Sequence, residues 1–158
     1  MDLPQFFTLE ASSPDENAYP IAVAWSLPDG SIKTTTICPD EDWDPRDNHD
    51  HNVDLDVLFD QGASPSDICL EMNSDLDGCS GFCNFGNYDN ELLEKLYESA
   101  RSEPNFEVEH WQSAFQGLNT DDIEHRFLFK CRELDLYPET SEDRVRVMVF
   151  VAADELTT

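Results

Sequence analysis

The sequence predicts an α/β fold, a mixed β-sheet of three antiparallel strands followed by parallel strands, flanked by helices. Two observations predict it. Short apolar segments at residues 5–9, 21–26 and 32–37 read as strands, the last two joined by Pro28-Asp29-Gly30, a hairpin turn signal. Beyond residue 60 helical segments alternate with short apolar runs, the order expected when crossover helices cover a sheet.

The elements follow in order. The first strand begins almost at the N-terminus, leaving neither a basic leader nor an apolar h-region. Residues 40–60 are acidic but interleaved with Trp43, Val53, Leu55, Leu58 and Phe59, so they are not a low-complexity tail. Ser64-Pro65-Ser66-Asp67 caps the next helix, which carries Ile68, Leu70 or Met72, and Leu76 on its apolar side. Gly78 to Gly81 ends it. Residues 82–85 read as a short buried strand, 88–101 as a helix, and 106–111 as a strand or extended segment. Thr120-Asp121-Asp122 caps a helix through Glu133, and Thr140-Ser141-Glu142 starts the last one. That helix is apolar on much of its circumference through Val145, Val147, Met148, Val149 and Val151, which places Met148 and Val149 in the core. With no internal repeat or linker, the 158 residues read as one domain.

Three of these segments carry a resemblance. Phe6-Phe7-Thr8-Leu9-Glu10-Ala11-Ser12, then Tyr19-Pro20-Ile21-Ala22-Val23-Ala24-Trp25-Ser26, then Asp29-Gly30, resemble the opening of the DEDD 3′–5′ exonucleases. These are the proofreading-subunit and RNase T type, with an RNase H-like fold. Tyr88-Asp89 before Asn90-Glu91-Leu92-Leu93 is similar to that family's second motif, an aromatic–Asp pair at a helix start. Residues 143–152 have the shape of its last helix, where the third motif is His, four residues, then Asp. The resemblance spans roughly residues 3–156. It implies an RNase H-like sheet, with a short helix in the second half of the acidic segment.

For chemistry the resemblance implies a loss. The family's first motif, Asp-x-Glu at the end of the first strand, holds two divalent cations, and here Thr8 stands in the Asp position before Glu10. A hydroxyl cannot replace a carboxylate as a hard anionic ligand for Mg²⁺. On the last helix Asp143 stands in the register of the general-base His and Met148 in that of the metal-binding Asp. A competing register sets His125 and Lys130 on those positions. Of the catalytic set, Glu10 and Asp89 are kept. Two-metal hydrolysis needs cations about 4 Å apart, bridged by carboxylates, with a base to activate water. A thioether in the third position also withdraws charge compensation. The expectation is a non-enzyme without a cofactor, with Glu10 and Asp89 as relics that form at most a weak one-cation site. As near neighbours, these carboxylates are expected to raise each other's pKa. The rival is an active exonuclease using Mg or Mn, recruiting Asp143, Glu142 or Asp15.

Composition bounds the function further. Thirty-five Asp and Glu against nine Lys and Arg give a net charge of −26. A nuclease keeps a basic track to neutralise phosphates, and a field of this sign repels a nucleic-acid strand. The cysteines (Cys38, Cys69, Cys79, Cys83, Cys131) are odd in number, and Cys79-x3-Cys83 has no matching pair. They read as small buried hydrophobes in a reducing, cytoplasmic setting rather than as a zinc site. Asp47-Asn48-His49-Asp50-His51 reads as a polar surface loop. No apolar run is long enough for a membrane span.

The acidic segment has three readings. It is a solvated face, a salt-adapted surface consistent with only three lysines (Lys33, Lys95, Lys130), or a nucleic-acid mimic. In the last, Asp40, Glu41, Asp42, Asp44, Asp47, Asp50, Asp54 and Asp56 stand in for phosphates in a partner's basic groove, with Trp43 as an anchor. That reading is preferred, because a fold without its chemistry acts by contact. It predicts a basic nucleic-acid-binding protein or complex as partner, with no direct nucleic acid and no membrane. Phage anti-CRISPR proteins that mimic DNA share this profile of charge and size. A scaffold or homodimer is the remaining alternative.

Overall fold

The computed structural model describes residues 2–13, 18–43, 55–84, 88–115 and 117–156. Its sheet has the strand order β3-β2-β1-β4-β5. The strands are β1 (Gln5–Ala11), β2 (Pro20–Ser26), β3 (Ile32–Thr36), β4 (Ser80–Cys83) and β5 (Glu107–His110). The first three are antiparallel, and β4 and β5 join parallel to β1, as the sequence predicts. The helices are α1 (Leu55–Gln61), α2 (Pro65–Leu76), α3 (Asp89–Ala100), α4 (Thr120–Leu134) and α5 (Ser141–Leu156). A short 3-10 turn, Trp111–Ala114, follows β5.

Being central, β1 is buried on both sides, and its alternation sorts the two layers of the core. Phe7 and Leu9 face α2 and α3, in a cluster with Val23, Trp25, Met72 and Leu96. Phe6 faces the other way, with Ala24, Trp111, Ile123, Val145 and Met148 beneath α4 and α5. Met148 is therefore a core residue, as its helix pattern predicts. Polar groups of the first layer find partners across elements. The Trp25 indole donates to Asp75 at 2.8 Å, and Lys33 bridges Asp75 and Glu71.

Local signals hold with small shifts. The hairpin turns at Gly30, whose φ of 88° suits glycine, and Asp29 accepts from the Ser31 amide and hydroxyl. Ser64 caps α2. In α2, Met72 and not Leu70 is buried: residues 68, 72 and 76 recur every four along one face, whereas Leu70 points about 200° away and is 74% exposed. The α4 cap is Asn119, not Thr120, in a reciprocal capping box with Asp122. The fourth strand lies two residues earlier than predicted, because its ladder to β5 closes at Cys83 opposite His110. Phe85 lies outside the described residues. Three of the five thiols are buried (Cys69, Cys83 and Cys131), while Cys79 is exposed and Cys38 partly so. No helix among the described residues is long and apolar enough to cross a membrane.

After α1 the backbone makes a close crossing. A Cβ on Gly62 would lie 2.5 Å from the Cys38 nitrogen and the Leu58 oxygen, both backbone atoms that cannot swing aside. We predict that Gly62→Ala destabilises the fold by about 2 kcal/mol or more, read as a lower urea midpoint with an unchanged m-value.

Candidate functional site

At the C-terminal end of β1 the even-numbered side chains Thr8 and Glu10 face α5. Each meets a different helix start, and together these contacts define the site.

Asp89 is the first residue of α3 and is completely buried. The chain enters the helix through Tyr88 in the left-handed conformation (φ 61°), which costs a non-glycine residue about 1–2 kcal/mol. The turn aims the carboxylate at β1. Its Oδ1 accepts from the Thr8 hydroxyl at 2.9 Å and the Leu9 amide at 3.1 Å. Its Oδ2 accepts from the Asn84 amide at 3.1 Å. Burial is the largest influence on its acidity and outweighs these bonds and the nearby Arg144 charge, pushing the pKa up to about 6. The expected mutual effect of two carboxylates is not found: desolvation raises the Asp89 pKa, and Glu10 is not among its causes.

Glu10 has a different partner. Its Oε2 accepts from the Ser141 amide at 2.9 Å and the Ser141 hydroxyl at 2.7 Å. Ser141 opens α5, so the carboxylate sits on the helix N-terminus, satisfying an orphan amide and complementing the helix dipole.

Sequence reasoning did not single out Arg144. Its Nη2 donates to the Leu9 carbonyl at 3.1 Å, and its Nε is buried without a hydrogen-bond partner. It lines a cavity of about 160 Å³ with Thr8, Asn84, Asp89 and Met148 among a mainly apolar wall of Phe6, Phe82, Trp111 and Phe127. A signal was present. Arg144 lies four residues before Met148, so this cation shares the inward face of an otherwise apolar helix stretch.

The structure thus brings Thr8, Asp89 and Met148 together around one cavity, with Glu10 beside it on β1. It does not bring Asp143 there. Asp143 accepts from Arg146 at 2.8 Å, and Glu142 pairs with the same guanidinium at 2.8 Å. His125 and Lys130, the competing register, line a separate groove on α4. Asp15 lies outside the described residues. Among the described residues no group of three or more His, Cys, Asp or Glu is arranged to hold a metal. Mg²⁺ or Mn²⁺ does not fit this set. Both Asp89 oxygens are engaged, Glu10 holds a helix end, and the nearest charged addition is a guanidinium, which repels a dication.

The acidic segment is described only in part. Asp40 is committed internally: it accepts from the Asp42 amide and the Ser99 hydroxyl, bonds that hold its pKa below the usual carboxylate range. Trp43 is half-buried, stacked on Tyr19 with ring centroids 5.4 Å apart. Glu41, Asp42 and, on α1, Asp56 are exposed. Asp44, Asp47, Asp50 and Asp54, with His49 and His51, lie outside the described residues.

No protein-family model matches the sequence, and no curated protein does. Solved structures match the fold. E. coli exonuclease I in complex with a dA16 oligonucleotide aligns with a TM-score of 0.65 at 9% identity, covering 99% of this chain and 42% of that one. An ExoI/SSB-Ct complex gives 0.64 at 9%, covering 99% and 42%. A further exonuclease I structure gives 0.62 at 10%, covering 99% and 41%. At such identities the likeness is one of fold, and it agrees with the RNase H-like sheet. The chain spans about two fifths of the length of these exonuclease I chains.

Two predictions follow from the geometry. A carboxyl whose folded pKa lies above its unfolded value of 3.8 favours the folded state most when protonated. Its contribution is full below pH 3.8 and lost as pH rises through about 6, a decline of about 3 kcal/mol. Thr8→Val removes a donor that holds the pKa down. Carboxyl NMR should show Asp89 titrating above its wild-type value. Urea melts should show a loss of about 1–2 kcal/mol at pH 7.5 and a smaller one at pH 4.5. Glu10→Ala should cost about 1 kcal/mol by leaving the Ser141 amide and hydroxyl without this acceptor, while Thr140 still caps the Asp143 amide. Faster amide exchange confined to the first turn of α5 would accompany that loss.

Proposed function

We propose that this exonuclease-fold chain acts by binding rather than by hydrolysis, and that its partner is a basic surface on a nucleic-acid-handling protein. The observation carrying the first half is the state of Asp89. A metal ligand must present lone pairs to an open site, whereas this carboxylate is fully buried and spends both oxygens on Thr8, Leu9 and Asn84. Glu10 is likewise engaged at the head of α5, and Arg144 supplies the positive charge beside them. The second half rests on charge. A net −26 repels phosphates and attracts a basic groove over several ångströms of approach. Glu41 and Asp42 are exposed carboxylates in the described part of that segment, and the stacking of Trp43 on Tyr19 gives their loop a fixed anchor.

The exonuclease I likeness favours one rival, an active nuclease with unconventional ligands. A single assay separates the two. Purified chain is incubated with labelled single-stranded DNA and RNA in Mn²⁺, beside Glu10→Ala. We expect no cleavage from either. Cleavage by the wild type that Glu10→Ala removes would establish the nuclease. For the partner, affinity capture should recover a basic nucleic-acid-binding protein. Glu41→Lys with Asp42→Lys should then weaken binding roughly tenfold and flatten its salt dependence. Capture of no basic partner, or reversals without effect, would remove the mimicry reading.

A further inference from the structure

The cavity beside Thr8 and Asp89 carries donors that the chain leaves unused. The indole Nε1 of Trp111, a residue only 6% exposed, is buried with no hydrogen-bond partner among the described residues, and so is the Nε of Arg144. Both residues line this cavity of about 160 Å³. A buried indole N–H ordinarily finds an acceptor, and orphaning it costs about 1–3 kcal/mol. A fold that keeps such donors in one cavity wall leaves room for an acceptor from outside the chain.

The wall sets the body of that ligand. Phe6 and Phe82 lie with ring centroids 6.1 Å apart, and Phe127 packs edge-on to Trp111 at 5.7 Å. These rings line the cavity. A water molecule needs about two to four polar partners, and donors set among aromatic rings supply few. An apolar cavity of about 150 Å³ takes up benzene, so this one suits a single ring with a short substituent. Charge sets the head group. Arg144 and Asp89 line the same cavity with opposite signs, and both Asp89 oxygens already accept from the chain. A carboxylate head would be set against Asp89, and an ammonium against Arg144. A neutral carbonyl oxygen avoids both and accepts from the unused N–H groups.

We infer that this cavity binds a small neutral aromatic carbonyl compound, its ring among the phenylalanines and its oxygen on the Trp111 and Arg144 donors. The inference needs Asp89 to be engaged by the chain, as the proposed function holds, and is independent of the basic partner. The Mn²⁺ cleavage assay reports on that premise separately.

Acetophenone is the probe, with cumene as the counterpart of like shape that lacks the oxygen. The nitrogen–proton NMR spectrum of the full chain carries one indole signal for each of Trp25, Trp43 and Trp111. Acetophenone should move the Trp111 signal downfield and leave in place those of Trp43 and of Trp25, which is already bonded to Asp75. Trp111→Phe keeps a ring in the wall and removes the donor. It should raise the acetophenone dissociation constant roughly tenfold and change that of cumene by less than about twofold. Benzoate should bind the wild type roughly tenfold more weakly than acetophenone in neutral buffer, where Asp89 is ionised. A Trp111 signal that acetophenone leaves in place overturns the inference and makes water the occupant. So does an acetophenone affinity that Trp111→Phe preserves, or benzoate binding more tightly than acetophenone. If Trp111→Phe does not fold, the wild-type indole signal decides the question alone.

Discussion

The buried carboxylate of Asp89 joins the central strand to its neighbours by accepting from the Thr8 hydroxyl, the Leu9 amide and the Asn84 amide. Those donors belong to β1 and to the residue just after β4, while the acceptor opens α3. One side chain therefore sets the height of a helix against two parallel strands. The group is expensive to bury, and burial drives its pKa upward, making it a weaker acid. The three bonds make that burial tolerable. Thr8 belongs to this arrangement chemically: an aspartate there would set a second carboxylate against the first, whereas a hydroxyl donates to it.

The same end of β1 holds α5 by related means. Glu10 accepts from both polar hydrogens of Ser141, and Arg144 reaches back to the Leu9 carbonyl. Strand and helix are thus stitched at two points on either side of the cavity. Positions that would serve a cation in a two-metal nuclease here serve the fold, and the positive charge near Asp89 is covalently part of the chain. The proposal of a binding protein rests on this exchange of roles.

Both signs of charge meet in the surface grooves. Glu41 and Asp42 border a groove against α3 that Lys95 and Arg101 also line. On the other face of the sheet α4 carries Arg126, Lys130 and Arg132 around exposed Leu128 and Phe129, with Asp154 and Glu155 opposite them.

Much of the fold was legible in the sequence because its signals are local. Short apolar segments mark β1 to β3, Asp29-Gly30 marks the turn between β2 and β3, and Ser64 marks the start of α2. Thr8, Glu10 and Asp89 were singled out by the resemblance to the exonuclease motifs, and the structure joins Thr8 to Asp89 while Glu10 meets Ser141. By itself the sequence determined where the short strands and the helices lie and how much charge the chain carries. Only the tertiary structure decided what the polar residues do. Glu10 finds Ser141 across 131 positions, Asp89 finds Thr8 across 81, and Arg144 turns inward where Asp143 turns to Arg146. Periodicity is a property of neighbouring residues, whereas hydrogen-bond partners and desolvation depend on which distant segments the packed sheet brings within about 3 Å of one another.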